Sequence, residues 1–243
     1  DTIRLGEGIT ANMIHMKKLP YNSNLIIYFE NQDGQIEIQN YFDESNNYKI
    51  EKIILADNTE ITNFENYMDP LTFITVDSDY TIAENSSITD VYLSGSGNIS
   101  ATGNSKNNTF FGNSGNNTYQ GNGGNDIIID TEGGNDTYIY NRGDGFDNIT
   151  DFGGNDTIQF GEGISVSDVI FTKHGNDLSI TFKNNIQGEI WVNNFFNNDN
   201  GYKIENFKFA DNTCLTDITQ YITGIDVDCD YNITEDSSIT NVR

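Results

Sequence analysis

A nine-residue beat in the middle of the chain constrains its fold more than any other feature. From Ser94 it reads SGSGNISAT, GNSKNNTFF, GNSGNNTYQ and GNGGNDIII, loosens into DTEGGNDTYI, re-forms as RGDGFDNIT and closes with DFGGNDTIQ. Glycine opens three of the seven units and returns near the fourth place in most, Asp or Asn takes the sixth in all but the first, and a large apolar residue usually takes the eighth. Repetition at so short a period makes each unit one layer of a solenoid, because no unit can bury an apolar face alone. Six residues of a unit form a turn and three form a short strand. The eighth-place residues, Phe110 or its neighbour Phe111, Tyr119, Ile128, Tyr138, Ile149 and Ile158, then point into a narrow core. The expected architecture is all-β: a parallel β-roll (right-handed β-solenoid) with β-rich capping segments and one short helix per long repeat.

Charge narrows the partners. The 243 residues carry a formal charge of −25, a surface that repels nucleic acid phosphates and anionic lipid, so no nucleic acid partner is expected. The same surface suits divalent cations. High charge with modest apolar content usually means disorder, yet 15 Phe and 13 Tyr sit among Ile and Val at regular positions. A chain that is unfolded without cation and folded with it reconciles the two signals. No apolar run approaches the roughly 20 residues of a membrane-crossing helix, so no transmembrane segment is expected. The first residues, DTIRLGEGIT, lack the pattern of a signal peptide. The cysteines, Cys214 and Cys229, align with Glu60 and Ser78 of the chain's own other copy, and the sequence does not settle whether they pair.

That other copy is a second repeat, with a period of about 151 to 155 residues. DTIRLGEGI at 1–9 matches DTIQFGEGI at 156–164, NLIIYF at 24–29 matches DLSITF at 177–182, and GQIEIQNYF at 34–42 matches GEIWVNNFF at 188–196. YKIEKIILADNT at 48–59 matches YKIENFKFADNT at 202–213. Both ends therefore fall inside a repeat, and the chain reads as one and a half units of a larger tandem array. Strands are expected over 24–29, 34–42 and 48–55, then a short helix capped by Thr62 or Thr216. The resulting division is 1–70, a β domain with a C-terminal helix; 71–93, linking strands that lead into the roll; 94–160, the roll; 161–224, a second β domain with helix; and 225–243, the start of the next repeat.

The nonapeptide resembles the haemolysin-type calcium-binding repeat of bacterial RTX proteins, and residues 1–62 and 156–217 resemble the haemolysin-type calcium-binding-related domain. In such a roll successive turns lie on opposite edges, so each turn stacks on the one after next. Stacking brings carboxylates together, which is unfavourable until a Ca2+ ion sits between them and accepts six or more oxygens. The resemblance implies one sixth-place Asp from each stacked turn, with backbone carbonyls from earlier places. The sixth places are Ile99, Asn108, Asn117, Asp126, Asp136, Asp147 and Asp156. Alternation pairs Asp126 with Asp147 and Asp136 with Asp156 as fully charged sites; Asn108 pairs with Asp126 and Asn117 with Asp136 as weaker ones. The carbonyls of Gly124, Gly134, Gly145 and Gly154 complete the expected ligand set. Steps of ten residues (Asp126 to Asp136) and eleven (Asp136 to Asp147) require extra residues to bulge.

The resemblance also implies export by type I secretion and folding on extracellular calcium. The expected role is a structural or extender segment, not an enzyme, of a large secreted or cell-surface protein. The rival readings are the calcium-binding region of a pore-forming toxin and an accessory module of an extracellular polysaccharide-acting enzyme. Expected partners are calcium ions, neighbouring repeats of the same chain, and a glycan or cell-surface ligand, for which Trp191 is the candidate platform. A strand burying alternate aromatics explains Trp191 more simply. His15 and His174 occupy non-equivalent places and suggest neither a triad nor a zinc site.

Overall fold

A computed structural model of the chain describes residues 1–20, 22–45, 49–184, 186–198, 200–226 and 241–242. It divides into two units, Asp1–Thr72 and Phe73–Arg243.

In the second unit the short strands wind alternately into two parallel sheets. One sheet takes, in order, Phe73–Val76, Asp90–Leu93, Thr109–Phe111, Ile127–Asp130, Phe146–Asp151 and Glu189–Val192. The other takes Tyr80–Thr81, Ser100–Thr102, Thr118–Gln120, Thr137–Tyr140, Thr157–Phe160 and Asn206–Lys208. Hydrogen-bonded neighbours are thus alternate strands in sequence. The side-chain period of two puts the eighth place inward everywhere. Val91, Phe110, Ile128, Ile149 and Val192 stack in register in one sheet. Ala101, Tyr119, Tyr138, Ile158 and Phe207 do so in the other. All ten are buried. The choice between Phe110 and Phe111 falls to Phe110; Phe111 lies on the outer face, its ring stacked 4.3 Å from that of Tyr92.

The bulges required by the longer steps do not occur in the strands. Ile127–Asp130 pairs with Asn148–Asp151, and Thr118–Gln120 with Thr137–Ile139, without a break in register. The extra residues lie in the turns 131–136 and 141–145, where lengthening costs no ladder hydrogen bond.

At the exit of the roll the chain changes direction. The hairpin of Val169–His174 and Asp177–Phe182 runs antiparallel beside Glu189–Val192. Cys214–Leu215 runs antiparallel beside Asn206–Lys208. Each parallel sheet thereby meets antiparallel strands, and an edge that would template further stacking is occupied. Phe160, Phe171, Phe207 and Phe209 fill the space between the layers.

The first unit holds two three-stranded sheets. Ile14–Lys18, Leu25–Phe29 and Gln35–Ile38 form an antiparallel meander. Thr2–Arg4 pairs in parallel with Lys52–Ile54, which pairs antiparallel with Glu60–Ile61. Ile14, Met16, Leu25, Ile27, Ile53, Leu55, Ile61 and Phe64 form its core. The expected strand over 34–42 stops at Ile38, because Asn40 turns the chain with φ +56°. Within 48–55, the strand covers only Lys52–Ile54.

The helix expected after Thr62 is a single 3-10 turn, Phe64–Tyr67. Its cap is Asn63, whose side chain accepts from the Glu65 N–H at 3.1 Å. The second copy has only Thr219–Tyr221, where the Asp217 carboxylate, and not Thr216, accepts from the Thr219 N–H. Segments of three or four residues cannot repay α-helix nucleation, and the neighbouring strands fix the chain instead. Cys214 is exposed; Cys229, the Cys214–Cys229 pairing and most of 225–243 lie outside the described residues.

Candidate metal centre

Every sixth-place side chain of the roll is buried, the carboxylates of Asp126, Asp136, Asp147 and Asp156 included. The parallel register causes this: the sixth place immediately precedes the strand, so a fixed strand fixes the carboxylate against the preceding coil. One oxygen of each carboxylate is held by that coil's backbone. On one edge the Asn108 N–H donates to Asp126 Oδ1 at 2.7 Å and the Asp126 N–H to Asp147 Oδ1 at 3.1 Å. On the other, the Asn117 N–H donates to Asp136 Oδ1 at 2.6 Å and the Asp136 N–H to Asp156 Oδ1 at 2.7 Å. All four expected pairs are therefore stacked neighbours.

The second oxygen is another matter. Asp126 Oδ2, Asp136 Oδ2 and Asp156 Oδ2 are buried without a hydrogen-bond partner, as is Asn108 Nδ2. Burial is the main reason that the carboxyls of Asp126 and Asp136 are pushed up to about 7 and that of Asp147 to about 8, against the pull of the backbone N–H groups. Asp156 is raised too, burial first and the Glu205 charge after it. Among the described residues, no ion pair reaches any of them.

Of the expected glycines, Gly124 and Gly134 present their carbonyls to the next turn, whereas the Gly145 carbonyl accepts from the Tyr140 hydroxyl at 2.8 Å and the Glu189 N–H at 2.9 Å. The Gly134 carbonyl sits against the α-carbon of Gly154, the Gly124 carbonyl against Gly145, and the Gly115 carbonyl against Gly134, so close that no β-carbon fits at the facing residue. Gly124, Gly134 and Gly145 also hold φ of +119°, +141° and +107°, which only glycine adopts without strain. Carboxylate oxygens without donors beside a column of carbonyls make an all-oxygen donor set, and this suits calcium. Magnitudes point the same way. A buried apolar side chain contributes roughly 1.5–3 kcal/mol, whereas an uncompensated buried charge costs several kcal/mol. One buried carboxylate per nine-residue unit, two per coil, cancels most of what the core gains, unless a cation offsets it.

The sequence reading missed four carboxylates. Glu205 continues the Asn117–Asp136–Asp156 column, accepting from the Asp156 N–H at 2.8 Å. Its signal was present, since it stands two residues before the inward Phe207, as Asp156 does before Ile158. Asp144 is buried near Asp126 and Asp147 on the opposite edge. Asp130 and Asp151, where the repeat elsewhere has its opening glycine, end their strands pointing inward and are buried. Asp136, Asp151 and Asp156 each offer an oxygen within 4.8 Å of the others.

Trp191 is not one of a set of buried alternate aromatics. Its strand buries Ile190 and Val192, while Trp191 lies on the other face, stacked on His174 at 5.1 Å. His15 stacks on Tyr28, with Nδ1 3.4 Å from Asp69, to which the Tyr28 hydroxyl also donates.

The fold and this site define a calcium-binding-type β-solenoid. The Haemolysin-type calcium binding protein related domain matches the chain at 24–63 and 177–218. Those two matches, with the solenoid, fit an RTX-type calcium-binding repeat protein, and the domain family implies calcium binding. No curated protein matches the chain. The family and fold suggest a structural, non-enzymatic protein. Among the described residues no helix is long and apolar enough to cross a membrane.

Proposed function

We propose that this chain is a calcium-dependent structural or extender segment of a large secreted or cell-surface bacterial protein, exported unfolded and folded by extracellular calcium. The observation that carries the reading is the row of buried carboxylate oxygens with no donor at Asp126, Asp136 and Asp156. With calcium bound, the sixth-place carboxylates and the carbonyls of Gly124, Gly134 and Gly154 hold the ion, and its charge replaces the protons the buried carboxyls otherwise retain. Binding free energy then accrues only to the ordered state, so metal and fold appear together. Extracellular modules work with dissociation constants of roughly 10⁻⁴–10⁻³ M, so the sites fill outside a cell and empty inside.

Far-UV circular dichroism tests the coupling. In chelator the roll is expected to be largely disordered, and the chain to gain β structure on calcium titration. Identical spectra in both would sink the reading. Asp136→Ala and Asp156→Ala are expected to raise the calcium midpoint by roughly tenfold or more, about the 1.5–3 kcal/mol of a charged interaction. Asn108→Ala, which removes no charge, is expected to shift it less.

A further inference from the structure

Asp130 and Asp151 stand outside the sixth-place ligand pattern, yet they are among the most deeply buried polar residues of the chain, at 0% and 1% exposure. Each has one oxygen held by a core tyrosine. The Tyr119 hydroxyl donates to Asp130 Oδ2 at 2.7 Å, and the Tyr138 hydroxyl donates to Asp151 Oδ2. The other oxygen of each, Asp130 Oδ1 and Asp151 Oδ1, is buried with no partner. Substitutions at the two places go together. Where the eighth place is Ala101, which has no hydroxyl, the following first place in the other sheet is Gly112; where it is Tyr119 or Tyr138, that place is Asp130 or Asp151. Gly112 in turn leaves the room that the Asp130 carboxylate fills, since a β-carbon there would collide with it.

Asp151 closes on Asp136 and Asp156. All three are at most 1% exposed. Each has one oxygen held by a donor, respectively the Tyr138 hydroxyl, the Asn117 N–H and the Asp136 N–H. Each has one oxygen without a partner. Their ligand oxygens all lie within 4.8 Å of one another, about twice the 2.3–2.6 Å calcium–oxygen distance. Three carboxyl oxygens converge with no amide or hydroxyl donor between them, so that without a cation only protons retained by the carboxyls themselves can bridge them. A single water supplies two protons and cannot satisfy three acceptors, whereas one divalent cation can.

We infer that a single calcium ion binds Asp136, Asp151 and Asp156 together, so that Asp151 is a third carboxylate ligand oriented by Tyr138. This rests on the reading that the roll binds calcium. Asp144 lies near Asp126 and Asp147, but among the described residues only Asp136, Asp151 and Asp156 bring three ligand oxygens within 4.8 Å of one another, so the two edges are unequal and this site fills before the Asp126–Asp147 site. Tyr119 and Asp130 repeat the arrangement one coil earlier, beside Asp136.

The test titrates the full chain with calcium and with terbium, whose emission is sensitised by a nearby tyrosine. Wild type, Asp151→Asn, Asp126→Asn and Tyr138→Phe are compared. Asp151→Asn is expected to weaken the tightest site by tenfold or more, about 1.4 kcal/mol, whereas Asp126→Asn leaves that site intact and weakens a later one. Tyr138→Phe is expected to keep the ion count and dim the terbium emission of the first ion bound. An unchanged first site in Asp151→Asn overturns the inference while leaving the calcium reading standing. No calcium binding by wild type overturns the reading itself. Should Asp151→Asn fail to fold at saturating calcium, Tyr138→Phe decides: dimmed emission supports the third ligand, and undiminished emission removes it.

Discussion

The chain contains two copies of one domain, the first within the unit Asp1–Thr72 and the second packed on the roll within the unit Phe73–Arg243. Both copies build the same meander in the same register. Leu25 faces Ile38 and Ile27 faces Ile36 in the first; Leu178 faces Val192 and Ile180 faces Ile190 in the second. The parallel pairing also repeats, Ile3 with Ile53 and Ile158 with Phe207. What differs is burial. Ile190 and Val192 are 1% and 0% exposed, because Phe146–Asp151 lies alongside them. Ile36 and Ile38 are half-buried, with Leu25–Phe29 as their described strand neighbour. The meander thus makes its own hydrogen bonds, and the roll supplies the apolar contact that turns a marginal sheet into a buried one.

Chelation should separate the copies most. In chelator, amides of Thr137–Tyr140 and Phe146–Asp151 are expected to lose hydrogen-exchange protection by orders of magnitude, while those of Leu25–Phe29 keep theirs. Equal loss in both would show that the first copy depends on the metal as well. A smaller effect separates Gly188 from its counterpart Gly34. Both have positive φ, +116° and +108°, so alanine strains both alike. At Gly188, however, the new methyl meets the Tyr140 hydroxyl and the Gly145 carbonyl, whereas nothing lies within 4 Å at Gly34. Gly188→Ala is expected to cost about 1–3 kcal/mol more than Gly34→Ala, measured by urea unfolding in saturating calcium. Equal costs would mean that the exit of the roll yields without resistance.

Acidity gives the smallest contrast. In chelator, the raised carboxyls of Asp126 (about 7), Asp136 (about 7) and Asp147 (about 8) bind protons more readily in the folded roll than in the unfolded chain, where the ordinary value is 3.8. The stabilisation is complete below the unfolded value and is lost as pH rises through about 7–8. The metal-free roll is therefore expected to be more stable at about pH 5 than at about pH 8. In the first copy Asp57 is shifted the other way, downward, by the Thr59 N–H and hydroxyl. A chelated roll that weakens on acidification would contradict the burial of these groups.

The nonapeptide by itself determined a solenoid with an inward eighth place, because a strand's period of two and a fixed repeat set which side chains face the core, and its resemblance to a known repeat implied the alternate-strand stacking and the four sixth-place pairs. It did not reveal that Glu189–Val192 and Asn206–Lys208 extend the two parallel sheets, since nothing local distinguishes a parallel neighbour from an antiparallel one. Nor did it mark Asp130 and Asp151 as interior. A carboxylate beside a turn ordinarily faces water, and only the stacked coils, with Tyr119 and Tyr138 reaching across the core, decided that these two point inward. Local pattern fixes which side of a strand a residue takes, whereas its depth depends on what the rest of the chain lays over it.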